Sequence, residues 1–243
     1  MKNYYAINLK TTASMYDNNL LLRFDEILTI LQDLATAHSY DMGVDHKTIL
    51  ENSNAFWVLS RVKFKINEHI KNNSKVYLKT WPLKPTGIRF IRDFSLKQNK
   101  KPMIVAKSEW CVLDATTFSI RKLDSINYPK DLKHIENGVK DIEFSKEKFL
   151  ISDSNFCYDY KVVLTDIDCN NHTNNVAYAR MALNAFEINE FKNYNFSNFE
   201  IKFINQSFYG NTIKIYKKQI NSTTVYIEGR FEDKKIFYTI FSN

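Results

Sequence analysis

The chain has 243 residues, 44% of them apolar and 14% aromatic, with only 5 Gly and 4 Pro; this is enough for one large domain or two of ordinary size and excludes a disordered polymer. The net charge of +7 suits an acidic partner. No dense Lys/Arg run or nucleic-acid motif accompanies it, so nucleic acid is not the expected partner, whereas an acidic carrier protein, a phosphorylated cofactor or simply a solvated basic surface all fit.

Three scattered cysteines, Cys111, Cys157 and Cys169, without CxxC spacing, argue against a disulfide framework and a structural zinc site. No metal is expected, and a reducing, cytoplasmic compartment is the natural one. The segment MKNYYAINLK lacks the apolar core of a secretory signal. No apolar run reaches about 18 residues, so no membrane span is expected.

Taken in order, the first strong pattern predicts a helix over 23–40. Phe24, Ile27, Leu28, Leu31, Leu34, Ala35 and His38 fall three and four apart on one stripe, and Gly43 is placed to end it. The period then becomes two. In RVKFKI, Val62, Phe64 and Ile66 alternate with basic residues, as in a half-buried strand. KVYLKTW, RFIRDFSL and SEWCVLD continue the style, which predicts an α+β layer with an antiparallel sheet. From about Asn127 to Ser154 the pattern weakens, predicting a connection and a domain boundary.

The plan then repeats. KVVLTD reads as a strand and NNVAYARMALNAFEINEF as one amphipathic helix with Val176, Ala179, Leu183 and Phe186 on a face. FEIKFI, NTIKIYKKQ, TTVYIEGRF and KIFYTIF follow as strands. RVKFKIN pairs with EIKFINQ, KVYLKT with TIKIYKK, RFIRDFSL with TVYIEGRF, and SEWCVLD with KIFYTIF. The shared order predicts a duplication, divided as 1–127, a linker over 128–154, and 155–243.

Between the repeat's strand and helix lies TDIDCNNHTNN. Asp168, Asn170 and His172 are spaced by two in a short loop, where catalytic groups are often carried. They supply an acceptor, an amide and an imidazole suited to proton transfer near neutral pH. The helix start near Asn174 and Asn175 offers backbone N–H groups and a dipole that suit an oxyanion. Spacing alone accounts for these residues at least as well by turn and N-cap duty.

The segment resembles that of the acyl-ACP thioesterases, a plant and bacterial family. Their D-x-N-x-H-[VT]-N-N pattern reads here Asp168-Cys169-Asn170-Asn171-His172-Thr173-Asn174-Asn175, with Tyr178 beyond. WVLSR at 57–61, TWP at 80–82, RDF at 92–94 and SEWCVLD at 108–114 match the family's N-terminal pattern, so the resemblance spans nearly the whole chain. It implies a tandem hotdog, each half a curved antiparallel sheet wrapped around a long helix. It implies hydrolysis of fatty acyl-acyl carrier protein in fatty acid biosynthesis, with no cofactor, on a fatty-acyl thioester substrate.

The resemblance maps catalytic positions onto Asp168, Asn170 and His172. A further, acidic family position falls at Gln206 in INQSFYG, followed by Ser207 where some plant members carry Cys. A neutral Gln positions water but takes no proton from it, which leaves Asp168 or His172 as base. The first half, SMYDNNLLLRF, has Asp17, Asn18 and Asn19 but no His, so one active site per chain is expected. The acyl chain is expected in the N-terminal hotdog, between helix 24–40 and its sheet. Trp57, Arg61 and Trp81 there, and Asn174 and Asn175 in the motif, are the substrate-binding candidates. Trp110 joins the tryptophans, each of which also reads as plain core.

Cys169 matches a variable, usually apolar family position and reads as structural. No G-x-S-x-G elbow occurs. His38, His46, His69 and His134 lack paired ligand spacing and read as surface or satisfied core residues. Four alternatives stay open on the sequence: an acyl-CoA thioesterase, a non-catalytic acyl-binding hotdog protein, a hotdog dehydratase, and, for assembly, a homodimer.

Overall fold

Alternation and helical stripe turn into structure as their chemistry requires. The computed structural model describes residues 2–136, 138–140 and 142–243. It divides into two units, Met1–Glu143 and Phe144–Asn243.

The first unit begins with β1 (Tyr5–Lys10) and the long helix α1 (Phe24–Asp41). All seven stripe residues of α1 are buried, Ile27 and Leu28 completely. Gly43, at φ 65°, ends the helix: its N–H donates to the Tyr40 carbonyl and that of Val44 to Ser39. A short helix, α2 (His46–Ser53), follows, which periodicity did not reveal. It buries only Ile49 and is fixed instead by Asp45, whose side chain accepts from the N–H groups of Lys47 and Thr48.

Four strands complete the layer: β2 (Ala55–Ile66), β3 (Lys75–Pro82), β4 (Phe90–Gln98) and β5 (Lys101–Asp114), with the short β6 (Ile120–Arg121) on β5. In β2, Val62, Phe64 and Ile66 are buried, as the alternation required. Their order across the sheet is β1-β3-β4-β5-β2, each neighbour antiparallel.

The described residues of 127–152 form no helix or strand. They are stitched down by the sheets: Asp93 accepts from the Val139 N–H at 2.6 Å, Lys107 Nζ donates to the Ile142 carbonyl, and Lys218 Nζ to that of Leu150.

The second unit repeats the plan with β7 (Phe156–Lys161), α3 (Asn175–Leu183), α4 (Ile188–Tyr194), β8 (Asn198–Phe203), β9 (Thr212–Asn221), β10 (Thr224–Phe231) and β11 (Lys234–Ser242). The order β7-β9-β10-β11-β8 is that of the first sheet with every strand replaced by its counterpart. Each strand pairing read from the letters is therefore a topological equivalence, and the chain is a tandem hotdog.

One element differs from expectation. The continuous helix over 174–191 is broken at 184–187. Glu187 starts α4 with a capping box to Glu190. The break turns the Phe186 ring against Phe191, Phe196 and Phe241 at 5.1–5.7 Å, so aromatic burial overrides helical continuity. Among the described residues, no helix is long and apolar enough to cross a membrane.

Candidate active site

β7 ends at Lys161, and a turn of 3-10 helix at Leu164–Asp166 leads into the motif. Asp166, buried, anchors that turn: it accepts from the Tyr160 hydroxyl at 3.0 and 3.1 Å and from the Val163 N–H at 2.9 Å. Ile167 and Thr173 then form an isolated antiparallel bridge that closes a tight loop over 168–172.

The loop is built on Asp168. One carboxylate oxygen, Oδ1, accepts from the N–H of Asn170 at 2.8 Å and of His172 at 3.2 Å. The Asp168 N–H donates to the His172 carbonyl, and Asn171 donates to the Asp168 carbonyl. Asn171 sits at φ 62°, a conformation asparagine tolerates. Asn174 caps α3, its side chain accepting from Val176 N–H at 2.8 Å.

This wiring engages two of the N–H groups at the helix start. The Asn174 N–H donates to the Asp166 carbonyl at 2.7 Å and the Val176 N–H to the Asn174 side chain. These two N–H groups are spent on the fold. The Asn170 side-chain amide is exposed and has no hydrogen-bond partner among the described residues.

His172 is half-buried, its ring edge-to-face with Phe208 at 5.2 Å. Neither ring nitrogen has a hydrogen-bond partner among the described residues, so both are available to a ligand. Phe208 was missed in the sequence, since no period or motif marks a lone aromatic in a loop. The segment carrying it is locked to the motif through Ser207, which is fully buried. The Ser207 carbonyl accepts from the Thr173 N–H and hydroxyl, both at 3.0 Å, and its Oγ meets Thr173 Oγ1 at 2.8 Å and the Tyr178 hydroxyl at 2.9 Å. Its own N–H donates to the same Tyr178 oxygen at 3.0 Å. Burial pushes the Tyr178 phenol up, partly offset by the Ser207 bonds, so it serves as a neutral hydroxyl. Gln206, adjacent and exposed, is thus held beside the motif by its neighbour.

Two family models match the chain: the acyl-ACP thioesterase N-terminal domain over residues 2–127 and the acyl-ACP thioesterase C-terminal domain over residues 151–236. The chain belongs to the acyl-ACP thioesterase family. It is a thioester hydrolase of fatty acyl-acyl carrier protein. Among solved structures it is similar to an acyl-ACP thioesterase from Bacteroides thetaiotaomicron, at 18% identity and a TM-score of 0.89 over 99% of this chain and 97% of that one. It is also similar to the 12:0-ACP thioesterase from Umbellularia californica, at 14% identity and a TM-score of 0.86 over 100% and 97%. No curated protein sequence matches it.

The remaining residues expected at this thioesterase's site lie in the first unit, and their side chains are largely committed to packing. Trp57 donates from Nε1 to the Val44 carbonyl at 2.7 Å and packs edge-on against Phe90 at 4.9 Å. Arg61 pairs with Glu109 at 3.3 Å. Trp81 is buried in β3 with Lys79 Nζ 5.4 Å from its ring centre. Trp110 donates to Ser108 Oγ at 2.8 Å. Cys169 is exposed. His38 is completely buried and bonded, the satisfied core histidine the spacing suggested. Among the described residues, no group of three or more His, Cys, Asp or Glu is arranged to hold a metal.

Proposed function

We propose that thioester hydrolysis by this chain is carried out on the 168–172 turn by Asn170 and His172, with Asp168 in the same turn and Gln206 beside it. The observation that carries the reading is an imidazole and an amide on one turn, neither with a side-chain hydrogen-bond partner among the described residues, in the segment that matches the family pattern.

In this reading His172 removes a proton from water, whose oxygen attacks the thioester carbonyl carbon. The carbonyl electron pair moves onto oxygen, where the Asn170 amide donates to the developing charge. Collapse expels the carrier's thiolate, which takes the proton back from His172, leaving free fatty acid and the carrier thiol. Gln206 orients the water without accepting its proton. The acyl chain lies in the first unit, against α1 and its sheet, with Trp57, Arg61 and Trp81 at its margin. The division of labour about the linker 128–154 belongs to this reading: 1–127 for the acyl chain and 155–243 for chemistry. A cytoplasmic setting and a homodimer belong to the same reading; sedimentation at micromolar concentration decides the latter.

Release of free fatty acid from purified acyl-acyl carrier protein tests the assignment. His172→Ala is expected to lower kcat by about 10³ or more, and Asn170→Ala by about 10², as for a lost proton carrier and oxyanion donor. Full activity in both variants would sink it. Release from acyl-CoA at a comparable rate would redirect the substrate but leave the site intact.

A further inference from the structure

The duplication supplies an internal control for the surroundings of the active-site turn. The turn itself recurs in the first unit around Asp17, whose Oδ1 accepts from the N–H of Asn19 at 2.8 Å and of Leu21 at 2.9 Å, as Asp168 Oδ1 accepts from Asn170 and His172. Leu20 takes φ 60° where Asn171 takes 62°. Tyr16 and Leu22 bridge as Ile167 and Thr173 do, so Leu22 corresponds to Thr173. Ile27 is the fourth residue of α1, as Tyr178 is of α3. The match continues past β2 and β8: the N–H groups of Asn67 and Glu68 donate to the Met103 carbonyl as those of Ile204 and Asn205 donate to that of Ile236. Ile70, four residues beyond β2, therefore corresponds to Ser207, four beyond β8.

All six of these residues are buried. The first unit fills the three places with Leu22, Ile27 and Ile70, the second with Thr173, Tyr178 and Ser207. A hydroxyl costs more to bury than a methyl unless it is bonded, so the fold by itself does not call for these three. In the second unit all are bonded, and one proton per hydroxyl allows a single direction. The Thr173 hydroxyl donates to the Ser207 carbonyl at 3.0 Å, which leaves Ser207 Oγ to donate to Thr173 Oγ1 at 2.8 Å and the Tyr178 hydroxyl to donate to Ser207 Oγ at 2.9 Å. The Ser207 N–H closes the ring by donating to the Tyr178 oxygen at 3.0 Å. Tyr178 thus grips Ser207 at two atoms, and its hydroxyl proton is committed there. The groups that border this ring are those of the site: His172 precedes Thr173, and Gln206 and Phe208 flank Ser207.

We infer that Tyr178 is a positioning residue for the hydrolysis: its hydroxyl, bonded twice to Ser207, holds the 206–208 segment in register with the turn that carries His172. This rests on the reading that His172 is the proton carrier. A buried polar cluster with every bond made fixes one register, which apolar contact alone does not. Without the hydroxyl the buried Ser207 N–H loses its acceptor, and the Phe208 ring, 5.2 Å from that of His172, moves with its neighbour.

The test compares Tyr178→Phe with the unaltered enzyme and with His172→Ala, by fatty acid release from acyl-acyl carrier protein, by thermal unfolding and by the NMR signal of the His172 ring. His172→Ala identifies that signal among the five histidines. Tyr178→Phe is expected to fold, to lower kcat by about 10- to 100-fold with KM within about twofold, to leave the inflections of the pH–rate profile in place and to displace the His172 signal, as a small misplacement of reacting groups does. A kcat within about threefold of the unaltered enzyme, or an unmoved His172 signal, would overturn the inference. Displaced inflections would also overturn it, by placing Tyr178 in proton transfer itself, and so would loss of the fold, by making the hydroxyl a requirement of folding. Full activity in His172→Ala would instead defeat the reading beneath it, whatever Tyr178→Phe does.

Discussion

His38 shows how far burial moves a single group. Its Nδ1 lies 2.9 Å from Arg92, whose guanidinium only donates, so this nitrogen accepts and the ring is neutral; Nε2 then donates to the Lys2 carbonyl. Burial first, and the Arg92 charge second, hold its pKa down at about 4, against weaker upward pulls from the Lys2 carbonyl and Asp41. Because the folded value lies below the ordinary 6.5, the unfolded chain takes the proton first as pH falls. The stability is whole above pH 6.5 and is lost between 6.5 and about 4, by ~2 kcal/mol once screening is allowed for. Unfolding midpoints at pH 7 and 4.5 should differ less in His38→Gln than in the unaltered protein; an equal difference would show that other groups set the acid limb. Leu20 offers a second residue-scale test. It is 67% exposed and held at φ 60°, a conformation costing roughly 1 kcal/mol for a residue with a Cβ. Leu20→Asn, copying Asn171 of the other turn, should raise the melting temperature by about 2–4 °C.

At the scale of elements, the second sheet is packed to contact. A Cβ built on Gly229 of β10 would lie 2.3 Å from Cε1 of Phe237, a fully buried ring on the paired strand β11, and 3.0 Å from Ile213. Neither neighbour can retreat, so Gly229→Ala should destabilise by about 1–3 kcal/mol, measured by denaturant unfolding at unchanged m-value. Most elements were legible beforehand because their period was strong. The seven-residue stripe of α1 and the alternation in β2 announce themselves without tertiary information. What escaped was governed by contacts between distant residues. The eight-residue α2 buries one side chain and depends on the Asp45 cap. The break after α3 comes from Phe186 joining the Phe191, Phe196 and Phe241 cluster, which no local window contains. The site followed the same rule. Asp168, Asn170 and His172 are adjacent in the chain and stood out. Their lock, Tyr178 and Thr173 on Ser207, and the Phe208 ring on His172 join residues some 30 positions apart and needed coordinates.

For the whole molecule, duplication is what makes one active site per chain the expectation. Both halves keep the strand order and the aspartate turn, but only the second has a histidine in it. The turn duty that competes with catalysis as an explanation of TDIDCNNHTNN is carried by the side chains of Asp168 and Asn174, while those of Asn170 and His172 have no hydrogen-bond partner among the described residues. The charge of +7 adds a property of the entire surface. If it steers an acidic carrier protein, raising salt from about 50 to 300 mM should raise KM for acyl-acyl carrier protein several-fold and leave kcat nearly constant; a salt-independent KM would assign the charge to solubility alone. The central claim, that this family member releases fatty acid through His172, is tested most directly by single-turnover hydrolysis of acyl-acyl carrier protein. The unaltered enzyme and a His172→Ala variant of matched circular dichroism are compared. The account predicts a rate lower by about 10³ or more in the variant; a rate within a few-fold of the unaltered enzyme would contradict it.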